Sequence, residues 1–316
     1  MSNRKSKIQN PESKIRLAHS PDPDDAFMFY ALASGQFDTA PEVYEHHLSD
    51  IETLNRAAER GQYEVTALSF HAYAHVAGKY VLLPHGASFG VGYGPVLVAR
   101  QFKLPKAARE QADKFVCARQ WLSGKTIAVP GERTSALLAL RLFAHGLQTR
   151  ATRTAQPNFQ TVAVPFDQII PQVAAGNYDG GLIIHEGQLT YHQAASGKLK
   201  KVVDLGAWWS AATGLPLPLG CNAIRKDLGA ARIRRVSGQL RQSVQWGLEH
   251  RQEALGYALK YGRGLSRAKA DKFVGMYVNE YTLDYGEKGR KAVRLFLDSG
   301  RRLGLVPAGV EAEWSE

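Results

Sequence analysis

Short apolar runs alternate with helix-forming segments along most of the chain, and this alternation limits the possible folds more than any other feature. The segments KIRLAHS, EVTALS, TIAVP, TVAVP and GLII are typical of strands, and turns or helical patterns follow them. Strands joined by helices form parallel sheets, because right-handed crossover helices must cover both faces of the sheet. We therefore predict an α/β fold of mainly parallel sheets flanked by helices.

The length of the chain predicts two domains. A chain of 316 residues with 44% hydrophobic composition can bury a large interior and usually divides. No apolar run reaches the roughly 18 residues that a membrane-spanning helix needs, so we expect no membrane partner. The first residues are polar and unlike a secretory signal, which predicts a cytoplasmic protein. Cys117 and Cys221 lack the spacing of a disulfide framework or a thiolate metal site.

The positive charge of the chain raises the question of a nucleic-acid partner. The formal net charge is +11, and residues 223–270 contain eleven Lys or Arg against three Asp or Glu. Apolar residues recur there at helical spacing from Ile233 to Leu248, which puts the arginines on the outer face of an amphipathic helix. No zinc-finger spacing or RNA-binding aromatic strand accompanies them, so we expect no nucleic-acid partner.

Polar residues follow four of the predicted strands. In open α/β sheets, ligands bind outside the carboxyl ends of strands, where loops and helix N-termini converge. These four strand ends are therefore the candidates for a binding site. The residues there are Asp24 with Asp25, Ser69, Thr134 with Ser135, and His185.

Three of these strand ends also have a purely structural explanation. The GERTS turn before a helix exposes backbone N–H groups and two hydroxyls, which suits a carboxylate, but Thr134 and Ser135 are equally typical of an ordinary helix cap. Ser69 has the same ambiguity. Asp24 and Asp25 could orient a substrate hydroxyl or transfer protons, yet an Asp before an apolar helical run is most often a cap.

His185 differs from the other candidates because an imidazole titrates close to neutral pH. A histidine at a strand end of this fold class faces the ligand crevice, so it could act as a base. The alternative is a buried histidine held by Glu186 or by a backbone carbonyl. The residues themselves leave both interpretations open.

Three further patterns predict structure rather than chemistry. His71 and His75 share a helix face but have no HExxH glutamate and no third ligand, so we expect a packed face and no metal site. The segment GASFGVGYGP lacks the Lys-Ser/Thr of a phosphate loop and predicts a flexible connection that lines the cleft. The two tryptophans of AWWSAATGLPLPLG are predicted to pack around a chain crossing.

Several motifs together resemble one family, from about residue 15 to the C-terminus. Their order matches that of the 1,4-dihydroxy-6-naphthoate synthase family, the cyclic dehypoxanthinyl futalosine lyases of an alternative route to menaquinone. The IHEG segment and the run from DLGAWW to TGLPLPLG are the specific parts of the resemblance. The motifs are SPDPDDAFMFYAL, DIETLN, LSFHAYAHV, VPGERTS, GLIIHEGQLTY and VVDLGAWWSAATGLPLPLG.

The resemblance implies a two-lobed fold similar to type II periplasmic binding proteins, with the substrate in the cleft. The chain would cross twice between the lobes, and the polar segment 101–124 is a candidate for a partly helical crossing. We predict one lobe from residues 15–100 and 215–316, a second lobe from 101–214, and a disordered polar tail over 1–14.

The resemblance also implies the chemistry of the site. The bicyclic substrate aromatises as a carbon–carbon bond breaks and a three-carbon fragment leaves, with no metal or organic cofactor. A small anionic carboxylate is the expected partner, and the protein is expected to be a monomer or homodimer. His185 matches the proton acceptor of the family. The matching substrate-binding positions are Asp25, Ala67, Leu68, Ser69, Thr134 and Ser135.

The chain departs from the family pattern at three places. The first motif usually has Cys and Asn where this chain has Asp22 and Asp24, and a lysine usually stands at the position of Ala67. Carboxylates gained and a cation lost beside the cleft alter its electrostatics, which leaves the exact substrate open. The alternatives are a non-catalytic solute-binding protein of the same fold and a chorismate dehydratase-like enzyme.

Overall fold

The strands of the protein form two separate sheets. The computed structural model describes residues 14–105, 110–147, 157–262 and 264–315. The strands in chain order are β1 (Lys14–His19), β2 (Val43–Leu48), β3 (Val65–Ser69), β4 (Tyr80–Leu82), β5 (Ser88–Gly90), β6 (Val96–Ala99), β7 (Thr126–Val129), β8 (Gln160–Ala163), β9 (Gly180–Ile183), β10 (Lys200–Asp204) and β11 (Leu217–Arg225).

The two sheets combine parallel and antiparallel pairs. The first has the order β2-β1-β3-β11-β4, with β5 paired to β11, and the second has the order β10-β6-β9-β7-β8. The predicted parallel pairing holds where helices join the strands, between β1 and both β2 and β3, and between β7 and both β8 and β9. Antiparallel pairs arise at β6 and β11, the strands with which the chain enters the other sheet.

Helices connect and cover the sheets. They are α1 (Pro23–Met28), α2 (Tyr30–Ala33), α3 (Ile51–Glu59), α4 (Phe70–Val76), α5 (Gln111–Trp121), α6 (Ser135–His145), α7 (Phe166–Ala175), α8 (Gly187–Ala194), α9 (Leu205–Thr213), α10 (Ala230–Glu249), α11 (Arg251–Ala258), α12 (Arg267–Tyr277), α13 (Glu280–Leu283) and α14 (Gly286–Arg302). The pair α10 and α11 replaces the single helix expected from 233 to 260, because the backbone breaks at His250.

The chain passes between the sheets earlier than the sequence predicts. β6 pairs with β9 and β10, so residues 96–99 lie in the second sheet although the predicted division placed them in the first lobe. The crossing falls between β5 and β6, not in segment 101–124, whose helix α5 packs against β10. The return crossing joins α9 to β11. The predicted tail over 1–14 lies outside the described residues, except that Lys14 begins β1.

The largest core cluster joins both sheets. α6 of the second lobe packs against α4, β11 and α14 of the first. Trp208 and Trp209 are buried in this cluster, and the Trp209 indole donates to the carbonyl of Pro216 at 3.1 Å. The tryptophans pack around the return crossing, as predicted.

The basic helix α10 is partly neutralised within the protein. Arg232 and Arg235 both bind Glu42, whose side chain is almost fully buried. Within the described part of the chain, no helix has the length and apolarity needed to cross a membrane.

Candidate active site between the two sheets

A cavity at the carboxyl ends of strands from both sheets brings the predicted residues together. It contains about 730 Å³ of space not filled by protein atoms, including its mouth. Its lining combines the ends of β1 and β3 with the turn after β7 and the end of β9. All seven predicted positions line it, namely Asp25, Ala67, Leu68, Ser69, Thr134, Ser135 and His185.

His185 projects from the end of β9 towards the first lobe. Its φ of 53° is in the left-handed region, which is uncommon for a residue other than glycine. Its Nδ1 lies 3.0 Å from Oδ2 of Asp22, and its side chain is 17% exposed. The ring also meets Phe166 edge-on, with centroids 5.2 Å apart. A carboxylate on one ring nitrogen fixes the ring and leaves the other nitrogen for the cavity.

Asp25 is held by the strand end before its own helix. Its Oδ2 accepts hydrogen bonds from the backbone N–H and the hydroxyl of Ser20, both at 2.8 Å. Burial raises the pKa of Asp25 to about 6, with the bonds from Ser20 opposing and the nearby Asp22 adding to the shift. The predicted helix cap is therefore wrong for Asp25, because its carboxylate binds the preceding strand end instead of capping α1.

The Ser69 hydroxyl lies between the two sheets without capping its helix. It accepts a hydrogen bond from the Asn55 side-chain N–H at 3.2 Å, while the side-chain oxygen Oδ1 of Asn55 accepts from the Ser69 backbone N–H at 3.0 Å. The hydroxyl proton has no acceptor among the described residues. Ala67 and Leu68 form the adjacent strand end, opposite Asn222 and Cys221 of β11.

The hydroxyls at the start of α6 are committed to structural bonds. Thr134 Oγ1 accepts from the Leu137 N–H at 3.2 Å and donates to the Gly131 carbonyl at 2.9 Å. Ser135 Oγ donates to the Leu219 carbonyl at 2.6 Å. What this turn offers a ligand is its backbone, because the first N–H groups of a helix have no acceptor within it.

Several residues in or next to the cavity were not predicted from the sequence as parts of the site. Asp22 contacts His185, and Asn222 and Gln188 line the cavity. The Tyr277 hydroxyl of α12 donates to Gln188 Oε1 at 2.9 Å, which joins the lobes across the cavity. Asp22 stands in the quoted first motif, so its departure from the family pattern was the available signal. No sequence pattern marks the partners on β11, α8 and α12.

The cavity wall is poor in positive charge. Among the described residues that line it, none is Lys or Arg, whereas Asp24 and Asp25 have acidic side chains. No group of three or more His, Cys, Asp or Glu is placed to hold a metal ion in the described ranges. His71 has both ring nitrogens near the carbonyls of Thr134 and Leu305, which agrees with the packed helix face predicted for it and His75.

Sequence comparisons place the chain among proteins of one biosynthetic route. The family model described as menaquinone biosynthesis matches residues 15–302. A 1,4-dihydroxy-6-naphthoate synthase from Thermus thermophilus is 42% identical over 289 residues, which is 91% of this chain and 94% of the relative. The enzyme of the same name from Streptomyces coelicolor is 35% identical over 294 residues, covering 93% and 95%.

Solved structures confirm the predicted two-lobed architecture. A crystal structure of a protein from Archaeoglobus fulgidus has a TM-score of 0.80 at 44% identity, covering 94% of this chain and all of that chain. The alkanesulfonate-binding protein from Xanthomonas axonopodis pv. citri, bound to MOPS, has a TM-score of 0.64 at 15% identity, covering 95% and 96%. The second likeness shows the fold alone, that of the periplasmic binding proteins.

Proposed function

The chain belongs to the menaquinone biosynthesis family, and from this premise we propose that it is a 1,4-dihydroxy-6-naphthoate synthase with His185 as its proton acceptor. The reaction is the carbon–carbon bond cleavage that converts cyclic dehypoxanthinyl futalosine to the naphthoate. The observation that carries the catalytic assignment is the contact of Asp22 with His185, which lines the cavity.

His185 has the arrangement of a general base. With Asp22 accepting the Nδ1 proton at 3.0 Å, the neutral ring keeps its lone pair on Nε2. That nitrogen can take a hydroxyl proton from the substrate as the ring system aromatises. Asp22 then stabilises the imidazolium that forms, as the carboxylate does in hydrolase triads.

The substrate carboxylate needs a position away from Asp22 and Asp25. The backbone N–H groups at the start of α6 supply one, since a helix N-terminus favours an anion and no Lys or Arg lines the described cavity wall. In this arrangement Thr134 and Ser135 bind through the backbone, and the Ser69 hydroxyl donates from the opposite lobe. Asp25 and the strand end at Ala67 and Leu68 complete the substrate-binding positions.

Contacts across the cleft support a closed, water-excluding arrangement. Besides the bond from Tyr277 to Gln188, Arg133 of the second lobe pairs with Glu59 of α3 at 3.2 Å. Lys269 of α12 donates to Gln193 of α8 at 2.6 Å. A closed cleft strengthens the electrostatic contacts within it and protects the reacting groups from water.

The remaining assignments follow from the same proposal. The partner is a small anionic carboxylate substrate, with no nucleic acid and no membrane among the partners. A biosynthetic role fits the cytoplasmic location and the monomer or homodimer expected from the sequence.

Turnover by a His185 variant tests the proposal. Purified protein is incubated with cyclic dehypoxanthinyl futalosine, and the naphthoate chromophore is followed by absorbance. His185→Ala should lower kcat by about 100-fold or more, because positioned acid–base groups contribute factors of this size. Substrate binding, measured by calorimetry, should be largely retained.

His192→Ala is the matched control. His192 lies near the other end of α8 and is exposed, so its loss should leave kcat unchanged. A wild-type rate in His185→Ala would remove the histidine from the mechanism. Tight binding without any turnover by the wild-type protein would instead favour a solute-binding role.

A further inference from the structure

Asp24 is a buried carboxyl on the cavity wall that the mechanism above does not use. Its side chain lines the cavity, the residue is 9% exposed, and its Oδ1 has no hydrogen-bond partner among the described residues. Of the two neighbouring acidic residues, Asp25 accepts from Ser20 through its Oδ2 and Asp22 contacts His185 through its Oδ2. A buried polar atom without a partner is costly, and in a ligand cavity it marks a position where the ligand supplies the missing bond.

The charges around Asp24 oppose its ionisation. Asp22, the residue before α1, and Asp25 within α1 carry charges of the same sign as an ionised Asp24, and Tyr277 of α12 directs its hydroxyl to Gln188. On α11, which packs against α1, Arg251 is paired with Asp271 and does not line the cavity.

The absence of Lys and Arg from the described cavity lining affects the pKa of the Asp24 carboxyl. Burial, with the charges of Asp25 and Asp22, raises the pKa of Asp24 well above its usual range, although hydrogen bonds from the backbone N–H groups of Asp24 and Asp25 oppose the shift. His185 is the one basic side chain among the described lining residues, and it faces Asp22. A proton therefore stays on Asp24 at pH values where an exposed aspartate has lost it.

We propose that Asp24 contacts the substrate, donating a hydrogen bond from its protonated carboxyl to an uncharged oxygen, a ring hydroxyl or carbonyl. The inference rests on the proposed function for the identity of that oxygen. A neutral donor at this wall orients the substrate with its carboxylate towards the start of α6, since a second anion beside Asp22 and Asp25 would be repelled. Asp24 is thus a specificity-determining residue.

Two substitutions at this position separate a donor from a carboxylate. Asp24→Asn keeps the shape and a donor but cannot ionise, so KM should stay within about threefold of the wild-type value. Asp24→Ala removes the donor and should raise KM roughly tenfold with a smaller change in kcat. Asp113→Asn, an exposed Asp in the first turn of α5, is the control for charge loss. An unchanged KM in Asp24→Ala, or equal losses in both variants, would overturn the proposal.

A measurement without substrate tests the protonation of Asp24 separately. Chemical unfolding of wild type and Asp24→Asn is compared between pH 4 and 8. Because the folded carboxyl holds its proton after the unfolded one has released it, the wild type should lose stability relative to the variant as pH rises above 4. Parallel pH profiles would mean that Asp24 is ionised and would overturn the inference. Absence of turnover by the wild type would instead contradict the proposed function, while the unfolding profiles would still decide the state of Asp24.

Discussion

The helix starts of α1 and α6 look alike in sequence but use their polar residues differently. Each follows a central strand and carries polar side chains before an apolar helical run. At α6, Thr134 caps the helix and Ser135 donates to a strand carbonyl. At α1, the N-cap residue Asp22 makes no capping bond and contacts His185 in the other lobe.

The comparison of α1 with α6 distinguishes polar residues that stabilise the fold from polar residues that are available for catalysis. A hydroxyl that already forms hydrogen bonds with nearby backbone groups has few bonds left to offer a ligand. An acidic side chain that does not cap its helix can still bind a ligand or a catalytic residue. We therefore expect substitutions at the start of α1 to affect catalysis and substitutions at the start of α6 to affect stability. The predictions for Asp22, Thr134 and Ser69 test this division, and a prediction for Asp25 tests the protonation of the acidic residues of α1.

The largest effect is expected for Asp22→Asn. The amide cannot stabilise an imidazolium and no longer favours the proton on Nδ1 of His185, so kcat/KM should fall by about 100-fold or more. Steady-state kinetics over a range of pH would measure the loss, and the pH profile should change shape, which a purely structural role would not cause. Asp113→Asn is again the control, and thermal melting establishes that the variant is folded. Wild-type kinetics in Asp22→Asn would show that the polar residues at the start of α1, like those at the start of α6, stabilise the fold and do not act in catalysis.

An intermediate effect is expected from the titration of Asp25. Its folded pKa of about 6 lies above the unfolded value near 3.8, so between these values the folded state binds more protons. The free energy of unfolding should consequently fall as pH rises from 4 to 6, by roughly 2–3 kcal/mol from this group. Asp25→Asn should remove that part of the slope in denaturant titrations, since an amide does not titrate. A slope that persists unchanged in the variant would show that Asp25 does not titrate in this range.

The sequence predicted which strand ends form the site better than it predicted which residues contact one another there. Alternating strands and helices placed the four strand ends correctly, because each depends on a local pattern around residues such as Ser69 and His185. The antiparallel pairing of β6 and β11 with their neighbouring strands could not be predicted, because it depends on which strands are neighbours in space. For the same reason the sequence did not predict the contact between Asp22 and His185, which are 163 positions apart. That separation lies beyond any helical or strand periodicity.

The smallest effect concerns the hydroxyls, and it tests the comparison most directly. Thr134→Ala should lower the free energy of unfolding by about 1 kcal/mol through loss of the cap, with KM within about twofold of wild type because the ligand contacts are to the backbone. Ser69→Ala should instead affect substrate binding, because its hydroxyl does not cap α4 and keeps its proton for the substrate. It should also lower the free energy of unfolding, since the buried Asn55 amide loses its acceptor. KM should rise by roughly threefold there, the lower range for one neutral hydrogen bond. Parallel denaturant titrations and kinetics on both variants measure the two effects. If Thr134→Ala raised KM more than Ser69→Ala, side chains at the start of α6 would contact the substrate, and the capping bonds would have to give way when it binds.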